Sequence, residues 1–197
     1  MKLPGALLAA LLVLAACATP IKTRYYTLQG ALPATVKATH RASDYRVVIG
    51  PVSVPETLDR RQLVLRVAPN RDVISDVERW SEPLKRQIPR VLAADVGQVL
   101  AAADVAADAQ YDAQDADYRV WIDVLRFESA PGHSVTFEAA WSVRNRAGAR
   151  LHEARSLFVL PVAAAGTDPL VDAQAQALAA FAGEIAKALR GLAPVKR

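Results

Sequence analysis

Between Tyr118 and Leu160 the sequence alternates apolar and polar residues with a period of two, in three consecutive runs broken only by short turns. In Tyr118–Phe127, the residues Tyr118, Val120, Ile122 and Val124 fall on one face and Arg119, Trp121, Asp123 and Leu125 on the other. In Val135–Val143, Val135, Phe137, Ala139, Trp141 and Val143 oppose Thr136, Glu138, Ala140 and Ser142. Asn145-Arg146-Ala147-Gly148 is a turn signal, after which Arg150–Leu160 returns as a third strand. Strands joined by so little chain pair antiparallel, because a parallel crossover needs a dozen or more residues. This region is therefore a meander whose apolar face something else must cover.

Two segments with helical periodicity supply the cover. Within Glu78–Ala103, Leu84, Ile88, Val91, Leu92, Val96, Val99 and Leu100 recur at three- and four-residue steps and form one stripe. Pro83 suits a first turn, whereas a proline inside a helix costs about 3 kcal/mol. Pro89 therefore leaves two readings, one bent helix or a turn followed by a helix from Pro89. The closing segment has Asp168-Pro169 as N-cap and first-turn proline, an apolar face of Leu170, Val171, Leu178, Phe181, Ile185 and Leu189, and Gly191 as its stop. Upstream, Arg24–Leu28, Tyr45–Val54 and Gln62–Val67 read as strands, the second interrupted by Gly50-Pro51 as at a bulge or a sheet edge. Residues 30–44 read as a loop, and Asn70–Ser75 as a short strand or turn. The 197 residues suit one domain. The expected fold is α/β, a mixed and largely antiparallel sheet of about five or six strands with two long helices packed on it.

Composition removes several functions. A formal charge of +4 with no run of five like charges gives no track for a nucleic-acid backbone. Asp104, Asp108, Asp112, Asp115 and Asp117 crowd one segment, but the glycine and closing glutamate of a calcium loop are missing, so it reads as a solvated loop or frayed helix end. His40, His133 and His152 show no ligand spacing, and Glu128 and Glu138 have nothing in the sequence to set their separation. No Gly-x-Ser-x-Gly, His-Glu-x-x-His, P-loop or Gly-x-Gly-x-x-Gly occurs. Neither an enzyme, a metal site nor a cofactor is expected.

The chain opens with Met1-Lys2 and an apolar run from Leu3 to Ala16, shorter than the roughly 20 residues that span a bilayer. Its ending, Leu14-Ala15-Ala16-Cys17, resembles the lipobox of bacterial lipoproteins. The resemblance implies a signal peptide over residues 1–16, cleavage before Cys17, and acyl chains with diacylglycerol on its thiol. Ala18 in place of aspartate implies sorting to the outer membrane of a Gram-negative bacterium, facing the periplasm. Removing residues 1–16 takes away only Lys2, leaving 23 basic and 20 acidic residues. Residues 17–23 form a tether, and 24–193 the domain. Several acyl chains hold stably where one is marginal.

Two further stretches stand out. One is Val52–Gln62, where Leu58 and the pair Arg60 and Arg61 lead into a strand. The other is Ile74–Leu84, with Trp80 just before a helix. Trp80 reads as a staple on its helix start or as an interface anchor. Arg60 and Arg61 read as a solvated strand edge or a lipid-headgroup site. Together the four residues are the candidate partner interface.

These stretches carry a resemblance to the ABC-type transport auxiliary lipoprotein family, the PqiC-like lipoproteins. The matching elements are Tyr25-Tyr26-Thr27-Leu28, Ile49-Gly50-Pro51-Val52-x-Val54-Pro55-x-x-Leu58-Asp59-Arg60-x-Gln62, Arg79-Trp80-x-Glu82-Pro83-Leu84, and Tyr118-Arg119-Val120 leading to Arg126-Phe127-Glu128. The resemblance implies a non-enzymatic subunit of a lipid transport system that docks a mammalian-cell-entry (MCE) domain protein alongside an ABC permease and ATPase. It also implies homo-oligomerisation. The alternative function is a structural envelope lipoprotein that binds the cell wall or another envelope complex.

Overall fold

The computed structural model describes residues 22–31, 45–100, 103–108, 116–162 and 164–192. Among them are eight strands and two α-helices: β1 Arg24–Tyr26, β2 Tyr45–Ser53, β3 Gln62–Ala68, β4 Arg71–Trp80, α1 Leu84–Leu100, β5 Ala103–Ala107, β6 Tyr118–Ala130, β7 Ser134–Asn145, β8 Arg150–Pro161 and α2 Asp168–Gly191. The strands form a five-stranded sheet in the order β5-β2-β6-β7-β8 and a three-stranded sheet in the order β1-β4-β3. This is the single-domain α/β architecture expected, with more strands and a second sheet.

The meander is β6-β7-β8, antiparallel throughout. Val120 sits opposite Val143, Ile122 opposite Trp141 and Phe127 opposite Phe137. A register shift between Val124 and Arg126 moves the alternation by one, which turns Phe127 onto the same buried face as Val124. α2 covers that face, and α1 packs beside α2 over β2 and β5 of the same sheet. Leu84, Ile88, Leu92 and Val96 of α1 and Leu170, Leu178, Phe181 and Ile185 of α2 are all buried. Each such side chain contributes about 1.5–3 kcal/mol by leaving water. Phe181 is fully buried, 5.2 Å from the Phe137 ring centroid and 5.7 Å from that of Trp141.

β2 lies between β5 and β6 and is parallel to both, so the Gly50-Pro51 break is a bulge inside the sheet. The register shifts between Ile49 and Val52, and the Gly50–Pro51 peptide is cis. Gly50 has φ +127°, and a Cβ there would stand 2.7 Å from Cβ of Asp108. Only glycine fits both conditions.

Several expectations need correction. The segment from Glu78 does not begin a helix. Glu78–Trp80 end a ten-residue strand that starts at Arg71, and β4 is held by β1 on one side and β3 on the other. Helix α1 starts after Pro83, whose carbonyl accepts the N–H groups of Arg86 at 2.9 Å and Gln87 at 3.3 Å. Pro89 lies inside one continuous helix. The carbonyl it leaves without a donor is that of exposed Lys85, on the solvent side, where water can satisfy it. The N-cap of α2 is Thr167, one residue before Asp168. The aspartate-rich segment contains a strand, β5, and its acids pair with cations. Asp104 lies 3.0 Å from Arg46, Asp108 3.7 Å from Arg119 and Asp117 3.2 Å from Arg146. Asp112 and Asp115 lie outside the described residues, as do Cys17 and His40.

Candidate docking surface

Among the described residues no group of three or more His, Cys, Asp or Glu converges as a metal site. His133 sits in the β6–β7 turn, its N–H bonded to the Ala130 carbonyl. His152 lies on β8, 4.9 Å from the Trp141 ring. The two glutamates are engaged separately. Glu128 pairs with Arg66 at 3.2 Å, and Glu138 is clamped between Arg126 and Arg155. Hydrogen bonds from Arg126, then Arg155, hold the Glu138 carboxyl below the usual carboxylate range, so it keeps no proton to donate at neutral pH.

The small sheet offers a different chemistry. Parallel pairing sets Tyr25 of β1 beside Arg79 of β4 and Tyr26 beside Trp80. Side chains alternate across a strand, so Tyr26 and Trp80 turn inward while Tyr25 and Arg79 turn outward with Gln62 of β3. Trp80 is 2% exposed and belongs to the core, and Tyr25 is 61% exposed. Arg61 reaches across the end of β4: its Nη2 donates to the Ser81 carbonyl at 2.7 Å and its Nε to the Trp80 carbonyl at 3.3 Å. Its guanidinium lies 5.7 Å from the Tyr25 ring centroid, a cation–π distance. Nε of Arg60 and Nε of Arg79 are buried without hydrogen-bond partners. Leu58 closes the 3-10 turn Glu56–Leu58, half-buried against the core.

The four residues singled out from the sequence therefore occupy two levels. Arg61 is exposed at the outer face and Arg60 half-buried, Trp80 lies in the core beneath Arg61, and Leu58 packs against the core beside Val64 and Arg66. Tyr25 and Arg79 complete that face and were not singled out. The pairing that brings them together joins a three-residue strand to one more than fifty residues away, and no local signal announces it.

At its other end the small sheet becomes a hairpin turning at Pro69 and Asn70. Val67, Val73 and Ile74 are 45%, 45% and 46% exposed there. Arg66 braces the hairpin, binding Asp72, the Pro69 carbonyl at 3.0 Å and Glu128 on β6 at 3.2 Å.

The described helices include none long and apolar enough to cross a membrane. The family model for the ABC-type transport auxiliary lipoprotein component matches residues 26–186, and the chain belongs to that family. It is thereby an envelope lipoprotein that assists an ABC-type transport system. Among solved structures it is similar to an uncharacterized protein with 20% identity and a TM-score of 0.71, over 85% of this chain and 99% of that one. It is also similar to a protein from Xanthomonas campestris with 16% identity and a TM-score of 0.66, over 86% of this chain and 96% of that one. At these identities the likeness is one of fold. No curated protein matches the sequence.

Proposed function

We propose that this chain is a non-enzymatic lipoprotein of the Gram-negative outer membrane, held by acyl chains on Cys17. In this reading it faces the periplasm and docks the MCE-domain protein of an ABC-type intermembrane lipid transport system. The observation that supports it is the outer face of the small sheet, where Arg61, Arg79 and Tyr25 come together over buried Trp80, with Arg60 next to Arg61 in the chain. Arginine and tyrosine are the residue types that dominate binding hot spots. Self-association into a homo-oligomer around the partner belongs to the same proposal. No cofactor enters it beyond the lipid on Cys17.

Capture of the tagged full-length lipoprotein from detergent-solubilised envelopes tests this reading. The MCE protein and the ABC permease and ATPase are expected in the eluate. Arg60→Glu with Arg61→Glu is expected to weaken capture at least about tenfold, equivalent to 1.4 kcal/mol, with an unchanged circular dichroism spectrum. Recovery of peptidoglycan-bound proteins without transporter subunits would overturn it.

A further inference from the structure

We infer that the tip of the β3–β4 hairpin is a second membrane contact, seated in the headgroup layer of the bilayer that holds the acyl chains of Cys17. The inference rests on the reading of Cys17 as the lipidated residue and adds a surface that reading does not require. Three large apolar side chains, Val67, Val73 and Ile74, surround a two-residue turn with close to half of each surface in water. A hairpin end of this kind normally carries polar residues that discourage association. The charges around it are close to balance, Arg66 and Arg71 against Asp72, Asp76 and Glu128. Asp72 is neutralised by Arg66, while Arg71, exposed at the turn, makes no ion pair among the described residues. Exposed apolar area is what seats an interfacial element among headgroups, and Arg71 at the turn can meet a lipid phosphate.

Direction and length choose the bilayer over other occupants. β1 is parallel to β4, with Arg24 beside Glu78, so the N-terminal end of β1 faces the hairpin tip. Seven residue steps separate Cys17 from Arg24, and seven separate Arg71 from Glu78. At about 3.3 Å per residue each distance is about 23 Å. A tether drawn out along its own strand direction thus brings Cys17 level with the tip and no farther. If the bilayer lay at the opposite end of the small sheet, the tether would have to reverse direction at Arg24 and double back past β1, spending about 7 Å of its reach. The hairpin would then set orientation: with its tip in the headgroups, Tyr25 and Arg61 at the other end of the sheet are held up toward the periplasm.

The test uses the full-length lipidated protein in vesicles of phosphatidylethanolamine and phosphatidylglycerol. Ile74→Cys carries an environment-sensitive fluorophore, the Cys17 thiol being occupied by lipid. Leu157→Cys, at an exposed position on β8, is the control. Val67→Cys repeats the measurement should Ile74→Cys disturb the fold. The expected result is a blue shift and loss of emission with a lipid-borne quencher at positions 74 and 67, while position 157 responds only to aqueous iodide. Equal access of iodide to the tip and to position 157, with mass spectrometry showing Cys17 lipidated, overturns the hairpin contact alone. A free thiol at Cys17 overturns the anchor reading and the inference with it.

Discussion

Asp95 places a carboxylate on the buried side of α1, 1% exposed, with Oδ2 lacking any hydrogen-bond partner. Burial pushes its pKa from the ordinary 3.8 up to about 6. Between those values the folded chain binds a proton that the unfolded chain does not. The stability this contributes is present below about pH 4 and is lost as the pH rises through 6. Asp95→Asn is therefore expected to raise the melting temperature at pH 7 and flatten its pH dependence between pH 4 and 6. Screening and side-chain relaxation hold the gain to about 1–2 kcal/mol, less than the full conversion of the shift. Thermal melts at pH 4.5 and 7.5 check it. Glu138 acts in the opposite sense: its lowered pKa contributes stability above the ordinary carboxylate range that is lost as the pH falls. Gly50→Ala is a second residue-scale case. With φ at +127° and Cβ of Asp108 2.7 Å away, alanine meets both strain and collision. A loss of about 2 kcal/mol or more in denaturant unfolding is expected. The position of Asp95 was legible, since it falls three residues after Leu92 and four after Val91 on the apolar stripe. Its lack of a partner was not, because that depends on what the rest of the chain brings to the helix.

At the scale of elements, α2 holds the meander through Phe181, whose ring touches Phe137 of β7, Trp141 of β7 and Phe158 of β8. Phe181→Ala is expected to cost about 3–5 kcal/mol, since a ring enclosed on every side leaves a cavity its neighbours cannot fill. The denaturation midpoint reads this directly, and the unchanged slope expected would show that the same surface still unfolds. Elements with strong local periodicity were legible in this way, because β6, β7 and α2 carry their pattern within their own residues. β4 was legible only at its start, where Asn70–Ser75 reads as a short strand or turn, because Val73, Ile74, Val77 and Trp80 mix exposed and buried positions along one strand. Its identity comes from being paired on both sides. Thr167 was passed over as the cap for a related reason. Its hydroxyl donates to Glu78, 89 residues away, and makes no side-chain cap bond to its own helix.

On the scale of the whole molecule, the small sheet carries the two proposed surfaces at opposite ends, partner contact at Tyr25 and Arg61 and membrane contact at the hairpin tip. Neither was visible as a surface before the fold assembled it, although Arg60, Arg61 and Cys17 were each singled out from their local sequence. This division separates position from folding. The described domain buries its core without help from residues before Lys22, so the anchor contributes location and not stability. Cys17→Ala is accordingly expected to leave the melting temperature unchanged within about 1 °C, because a substitution that touches no part of the described core shifts stability by less than about 0.5 kcal/mol. The same variant is expected to move from the envelope pellet to the soluble fraction, since three apolar tip residues without acyl chains bind membranes only weakly and reversibly. Transport-dependent growth under envelope stress should fall to the level of a deletion strain even at normal protein abundance. Fractionation, thermal melting and complementation on one variant read these three quantities separately. A soluble Cys17→Ala protein that still complements would show that the domain finds its partner without the bilayer to orient it.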